Sequence, residues 1–171
     1  ISDLEVKSGV VHLGARTCYG ATGLKSISIP KTVTSTGNGV FRGCTSLKYA
    51  NMPGAITSMV DNLFYGCTAL EEVVLGEGTT VAGRNMVNGG CTSLKTLTLP
   101  GSVTLVNETA FQGTALTTIH YSSTIANYKI FLATNDYTEP LKTDTISVEC
   151  TNGTYLYGHD SDLPVEGATS G

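Results

Sequence analysis

The side chains of this chain that could carry chemistry are three histidines, five cysteines and two adjacent glutamates, Glu71 and Glu72. A histidine beside a serine or cysteine and an orienting acid would make an acyl-transfer centre. Clustered with thiolates or carboxylates, it would ligate a metal. His12, His120 and His159 fall in three different contexts: a recurring apolar segment, a short alternating run and a polar tail. Their spacing yields no nucleophile–base arrangement. His159-Asp160-Ser161-Asp162 has a metal-binding composition but reads as a solvated tail. Asp136, Glu139 and Asp144 lack the ligand spacing of a calcium loop. Glu71 and Glu72 could mimic a carboxylate dyad, yet neighbours on a strand are expected to point to opposite faces or edges. Gly37-Asn38-Gly39 and Gly89-Gly90 are not followed by the lysine and hydroxyl residue of a phosphate-cradling loop. The sequence therefore reads as non-enzymatic, with no metal or cofactor site. Asn107-Glu108-Thr109 and Asn152-Gly153-Thr154 fit the glycosylation acceptor pattern, but both fall where turns are expected.

The cysteines point to structure rather than reactivity. Cys44, Cys67 and Cys91 each precede the motif T-S/A-L. They are expected as an inward column of small buried side chains, whose parallel vectors suit disulfides poorly. Cys18 takes the place that Phe41 holds one period later, and Cys150 lies outside the repeats. No CxxC or CxH spacing suggests zinc.

What must position all these residues is a repeat. Leu24, Leu47, Leu70, Leu94 and Leu116 open successive copies 22 to 24 residues apart. The copy Leu70–Ser93 carries one extra residue, and Leu94–Ala115 lacks one. Such a period marks a solenoid, in which each unit buries its apolar face on the next. Each copy opens L-x-x-h-x-h, where h is apolar, as in Leu24, Ile27 and Ile29 or Leu70, Val73 and Leu75. The alternation predicts a short strand, and stacked copies must pair in parallel. Proline ends it at Pro30, Pro53 and Pro100. A second apolar segment follows (Val33 and Thr36, Ile56 and Met59, Thr79 and Ala82, Val103 and Val106), expected on the opposite wall. An inward slot comes next, held by Phe41, Phe64, Val87 and Phe111, and Gly43-Cys44, Gly66-Cys67 and Gly90-Cys91 close the coil. The pattern extends back to Leu4, so the chain reads as a piece of a longer array. A leader or anchor would lie outside it.

Composition agrees with a turn-rich coil: 14% charged residues, 20 glycines and no tryptophan. A net charge of −4 with no basic stripe argues against nucleic acid. No apolar run approaches the roughly 18 residues of a membrane span.

L-x-x-I-x-I-P, then V-T-x-x-G, then F-x-G-C-T-S-L, resembles the BspA-like leucine-rich repeats, a treponemal-type class with a 23-residue unit. The match runs from about Leu4 to Tyr121 and is best over Leu24–Ala69. It departs at Val87, which replaces the phenylalanine, and where a residue is inserted before Cys91. FQGTAL (Phe111–Leu116), which drops a residue and the cysteine, is a variant that also looks like this family. TTIHYSST, a helical segment near Ala126–Ala133 and ISVECTNGT (Ile146–Thr154) look like the family's terminal cap. The resemblance implies an α/β, β-rich, right-handed solenoid with a parallel concave sheet over 1–121. A strand–helix–strand cap over 122–156 and a tail or linker over 157–171 complete it. It also implies an extracellular or cell-surface protein of host-associated microbes, a monomer binding host matrix or surface proteins, glycans or other microbial cells. A phage-tail receptor-binding or structural part, or a passive spacer, are the alternatives.

In such a solenoid the outward strand positions form the recognition surface. Tyr49, Asn51, Glu72, Val74, Thr96, Thr98 and His120 are the candidate binding residues. Tyr49 is the one aromatic at a clear outward position, and tyrosine is a favoured hot-spot residue.

Overall fold

A computed structural model describes residues 3–159. In chain order its elements are β1 (Asp3–Glu5), β2 (His12–Leu13), β3 (Ser26–Ser28), β4 (Ser35–Thr36), β5 (Tyr49–Met52), β6 (Glu72–Leu75) and β7 (Val81–Ala82). Then come β8 (Thr96–Leu99), β9 (Leu105–Val106), β10 (Thr118–Tyr121), α1 (Ile125–Thr134), a 3-10 turn (Glu139–Leu141), β11 (Ser147–Cys150) and β12 (Gly153–Tyr155). The long sheet has eight strands in the order β1-β3-β5-β6-β8-β10-β11-β12, parallel up to β11. Two short parallel pairs, β2-β4 and β7-β9, build the opposite wall.

Leucine opens each coil because its side chain fills the space between the two walls. Leu24, Leu47, Leu70, Leu94 and Leu116 are all buried, as are their strand partners Ile27, Ala50, Val73, Leu97 and Ile119. On the far wall Val33, Ile56, Thr79 and Val103 are buried too, and Thr79 donates its hydroxyl to the Ile56 carbonyl at 3.1 Å. After the strand, Pro30, Pro53 and Pro100 each accept from the N–H three residues on (Val33, Ile56, Val103). The proline that ends the ladder thus also starts the turn. Gly76 does the same for Thr79 in the coil that lacks proline.

Phe41, Phe64, Val87 and Phe111 fill one column with no exposure, and Phe41 stacks on Phe64 at 5.6 Å between ring centres. The cysteine column beside it has a specific role. Cys44 Sγ donates to the Cys18 carbonyl at 3.1 Å, Cys67 to Phe41 at 3.0 Å, and Cys91 to Phe64 at 3.2 Å. Each thiol adds a second donor to the carbonyl of the slot residue one coil back, which already accepts from the N–H three residues on (Ala21, Cys44 and Cys67). Cys18, in the slot itself, supplies one of those carbonyls.

Each coil turns through two left-handed residues flanking the slot. The later one is glycine throughout: Gly20, Gly43, Gly66, Gly89 and Gly113, with φ between 66° and 76°. The earlier one is Arg16, Gly39, Asn62, Asn85 or Thr109, with φ between 52° and 66°. The Gly-Cys pair expected at Gly90-Cys91 is out of register. Gly66 N–H reaches the Asn88 carbonyl as Gly43 N–H reaches that of Tyr65, so Gly89, not Gly90, holds the repeat position. Gly90 is the inserted residue and stands out of register before Cys91.

At the C-terminal end, α1 lays Tyr128, Phe131 and Leu132 over the last coil, one helical face by their spacing. Tyr121 of β10 meets Tyr128 edge-on at 5.0 Å, and Tyr155 meets it from β12 at 5.7 Å. Thr124 caps the helix by accepting from Asn127 N–H, while the Asn152 side chain accepts from Ile125 N–H. The expected helix is there, one residue longer at each end. Beyond Cys150 the chain doubles back, and β12 pairs antiparallel with β11, a hairpin that the alternation of Ile146–Thr154 does not announce. Of the polar tail, only residues up to His159 fall within the described residues, so His159-Asp160-Ser161-Asp162 lies almost wholly outside them.

Candidate binding surface

Register turns the outward residues of the long sheet into two files. One runs Asp3, Ser26, Tyr49, Glu72, Thr96, Thr118 and Ser147; the other runs Glu5, Ser28, Asn51, Val74, Thr98, His120 and Glu149. Tyr49, Asn51, Glu72, Val74, Thr96 and Thr98 are half-buried among their neighbours, and His120 is exposed. The seven candidates therefore share one face, at inter-strand spacings of about 4.8 Å. His120 pairs with Glu149 through Nδ1 and Oε2 at 2.8 Å, where β11 adds an acidic neighbour to the file. Glu149 was not among the expected residues, because its membership depends on β11 docking beside β10.

A third file precedes the strands: Lys25, Lys48, Glu71, Lys95 and Thr117, all exposed. Here the alternation of in and out breaks down. The Lys48 carbonyl accepts from both Glu71 N–H (2.9 Å) and Glu72 N–H (3.1 Å), and the Glu71 carbonyl accepts from both Lys95 and Thr96. The Lys95 carbonyl does the same for Thr117 and Thr118. Two consecutive N–H groups sharing one acceptor is a bulge-like entry to the strand. Glu71, just before β6, and Glu72, its first residue, both line one groove.

That groove is open, about 570 Å³, and spans three coils. Lys48 and Tyr49 come from one coil, Glu71 and Glu72 from the next, Lys95 and Thr96 from the third, with Thr92 and Ser93 in the turn before β8. Ser93 Oγ donates to the Thr68 carbonyl at 2.8 Å, which fixes that turn. Among the described residues, none of Lys48, Glu71, Glu72 and Lys95 closes an ion pair within 4.0 Å. Of the candidate residues, Tyr49, Glu72 and Thr96 border this groove, whereas Asn51, Val74, Thr98 and His120 continue the face beside it.

The histidines stay apart: His12 Nδ1 sits 2.7 Å from Ser35 Oγ on the far wall, and His159 Nε2 lies 3.7 Å from Asp144 Oδ2. No group of three His, Cys, Asp or Glu among the described residues is placed to hold a metal ion. No helix among them is long and apolar enough to cross a membrane. On the turn side, the Arg42 guanidinium lies 4.7 Å over the Tyr65 ring, and Arg16 lies 5.8 Å over Tyr19. Gly89 makes room for the Tyr65 ring, since a Cβ there would come within 2.6 Å of it.

Among solved structures, a leucine-rich cell-surface protein from Faecalibacterium prausnitzii is similar at 30% identity and a TM-score of 0.66, over 72% of this chain and 33% of its own. A leucine-rich repeat protein from Eubacterium ventriosum is similar at 29% identity and a TM-score of 0.66, over 71% and 35%. The leucine-rich repeat protein of T. pallidum is similar at 27% identity and a TM-score of 0.61, over 67% and 54%. The chain thus spans between a third and about half of the length of these proteins. No curated protein matches it. The model of the BspA-type leucine-rich repeat region matches six times between residues 11 and 136, most of the solenoid and the helix that covers it, and the chain belongs to that family.

Proposed function

We propose that this chain is a non-catalytic binding module of a microbial cell-surface or secreted protein, holding host or microbial surface macromolecules on the outer face of its long sheet. The observation that carries this is the unbroken run of outward side chains across the parallel strands, opened by a groove with unpaired charges. The cell-surface description of the similar F. prausnitzii protein supports the location. A shallow polar face of this kind gives weak single contacts, and attachment then sums many of them.

Purified chain, displayed at high density on beads, is applied to matrix proteins, mucins and whole bacterial cells. The Tyr49→Ala, Asn51→Ala, Glu72→Ala triple variant is run beside it. Retention by one of these surfaces that the variant loses is the expected result. Absence of retention on all of them would instead favour a spacer that holds another domain away from the cell.

A further inference from the structure

The groove over β5, β6 and β8 admits a narrower statement about its ligand, one that rests on the function proposed above. Its charges cancel: Lys48 and Lys95 stand against Glu71 and Glu72. A strongly anionic chain would meet the two glutamates, and a strongly basic one the two lysines, at close range. A protein hot spot wants a dry floor from which charged residues are depleted, and charged residues make up half of this lining. An added peptide strand has no free edge to pair with, because β6 is already hydrogen-bonded to β5 on one side and β8 on the other.

What such a lining suits is a neutral chain dense in hydroxyl groups, each of which donates and accepts at once. Carboxylates accept from it, ammonium groups donate to it, and Ser93, whose own proton is engaged with the Thr68 carbonyl, accepts. Tyr49, half-buried and beside Glu72 in register, is the one aromatic residue of the lining, and an aromatic ring suits the C–H side of a sugar. The volume lies within the roughly 300–1,000 Å³ range of small-ligand sites. A second observation singles out this stretch of the solenoid. The coil that carries the extra residue, Gly90, supplies four of the eight lining residues: Glu71, Glu72, Thr92 and Ser93. The groove therefore sits on the one coil that departs from its neighbours by an insertion. We infer that it is a subsite for a neutral oligosaccharide, bound weakly and used in many copies at a surface.

The test is a titration of the isotope-labelled chain, followed through its amide resonances. The probes are neutral tri- and tetrasaccharides of galactose, mannose, glucose and N-acetylglucosamine, with sialylated and sulfated oligosaccharides as comparators. Saturable shifts at Tyr49, Glu72, Ser93 and Thr96 with a neutral probe are expected. Affinity should fall roughly tenfold or more in both Tyr49→Ala and Glu72→Gln, the resonances of the far wall being unchanged. No shift with any neutral probe, a preference for the charged comparators, or binding that survives both substitutions would overturn the assignment. Retention on cells that depends on the sheet face but is not inhibited by the neutral probes would also overturn it. That last result would leave the binding function standing, whereas failure of retention on every surface would remove the function itself.

Discussion

At the residue scale, the chain spends its unusual side chains on the interior. Cysteine is used where a small apolar side chain must also donate to a carbonyl one coil away, a job that alanine cannot do and serine does with a higher cost of burial. Burial pushes the Cys91 thiol up to about 11, from an ordinary value of 9.0. Between those two values the unfolded chain has lost this proton and the folded chain keeps it, so stability falls as pH rises through the window and is intact below it. The thiols of Cys18, Cys67 and Cys150 are raised as well. The part due to Cys91, about 1.4 kcal/mol per pH unit, is therefore read as the difference between the parent chain and Cys91→Ala in denaturant titrations stepped from neutral pH through this window. A flat difference would mean that the Cys91 thiol is not buried. Tyr128 makes a complementary case. It has no exposure, and its hydroxyl has no hydrogen-bond partner among the described residues. Tyr128→Phe removes a buried polar group without opening a cavity, so it should stabilise the chain by about 1 kcal/mol in thermal or chemical unfolding. Destabilisation of that size would show that the hydroxyl has a partner.

At the element scale, the regular coil depends on backbones that nearly touch. Gly54 is the clearest instance: a Cβ there would lie 1.6 Å from the Glu77 carbonyl oxygen of the next coil. No rotamer can relieve that contact, because both groups are main chain. Gly54→Ala should therefore cost at least about 2 kcal/mol. Gly14→Ala, where the nearest neighbour to a new Cβ is Thr17 Oγ1 at 3.5 Å, should be close to neutral. Equal unfolding midpoints for the two variants would refute the close stacking. Much of this element structure was legible in the sequence, because translation along a solenoid repeats one environment. The leucines, the Phe64 slot and even Cys18 in place of Phe41 could be assigned from spacing alone. Three features could not. Gly89 and Gly90 are chemically identical neighbours, and only the Gly66–Asn88 hydrogen bond tells which one keeps register. Arg16 and Thr109 adopt the left-handed conformation because their coil position requires it, against the preference of their side chains. Glu71 and Glu72 share the Lys48 carbonyl as acceptor and line one groove, a bulge-like entry to the strand that no alternation of residue types records.

At the scale of the whole molecule, the two walls differ in what they present to solvent. On the far wall the exposed threonines Thr34, Thr57, Thr80 and Thr104 recur at one position of the coil, and Thr80 N–H donates to Thr57 as Thr104 N–H donates to Thr80. The long sheet varies at every coil and carries the groove. The candidate residues could be placed on one face from the repeat, since strand parity decides face. Which of them would surround a cavity could not, because the groove needs three coils, a bulge and an insertion at once. On the function proposed above, partners are held on the sheet and not on the far wall. Its most direct test places the same bulky charge on each wall in turn. Val74→Arg with Thr98→Arg is compared with Thr57→Arg with Thr80→Arg, each checked for unchanged unfolding and then for retention on the surface that holds the parent chain. The sheet variant is expected to lose retention and the far-wall variant to keep it. Loss in the far-wall variant alone would contradict that placement.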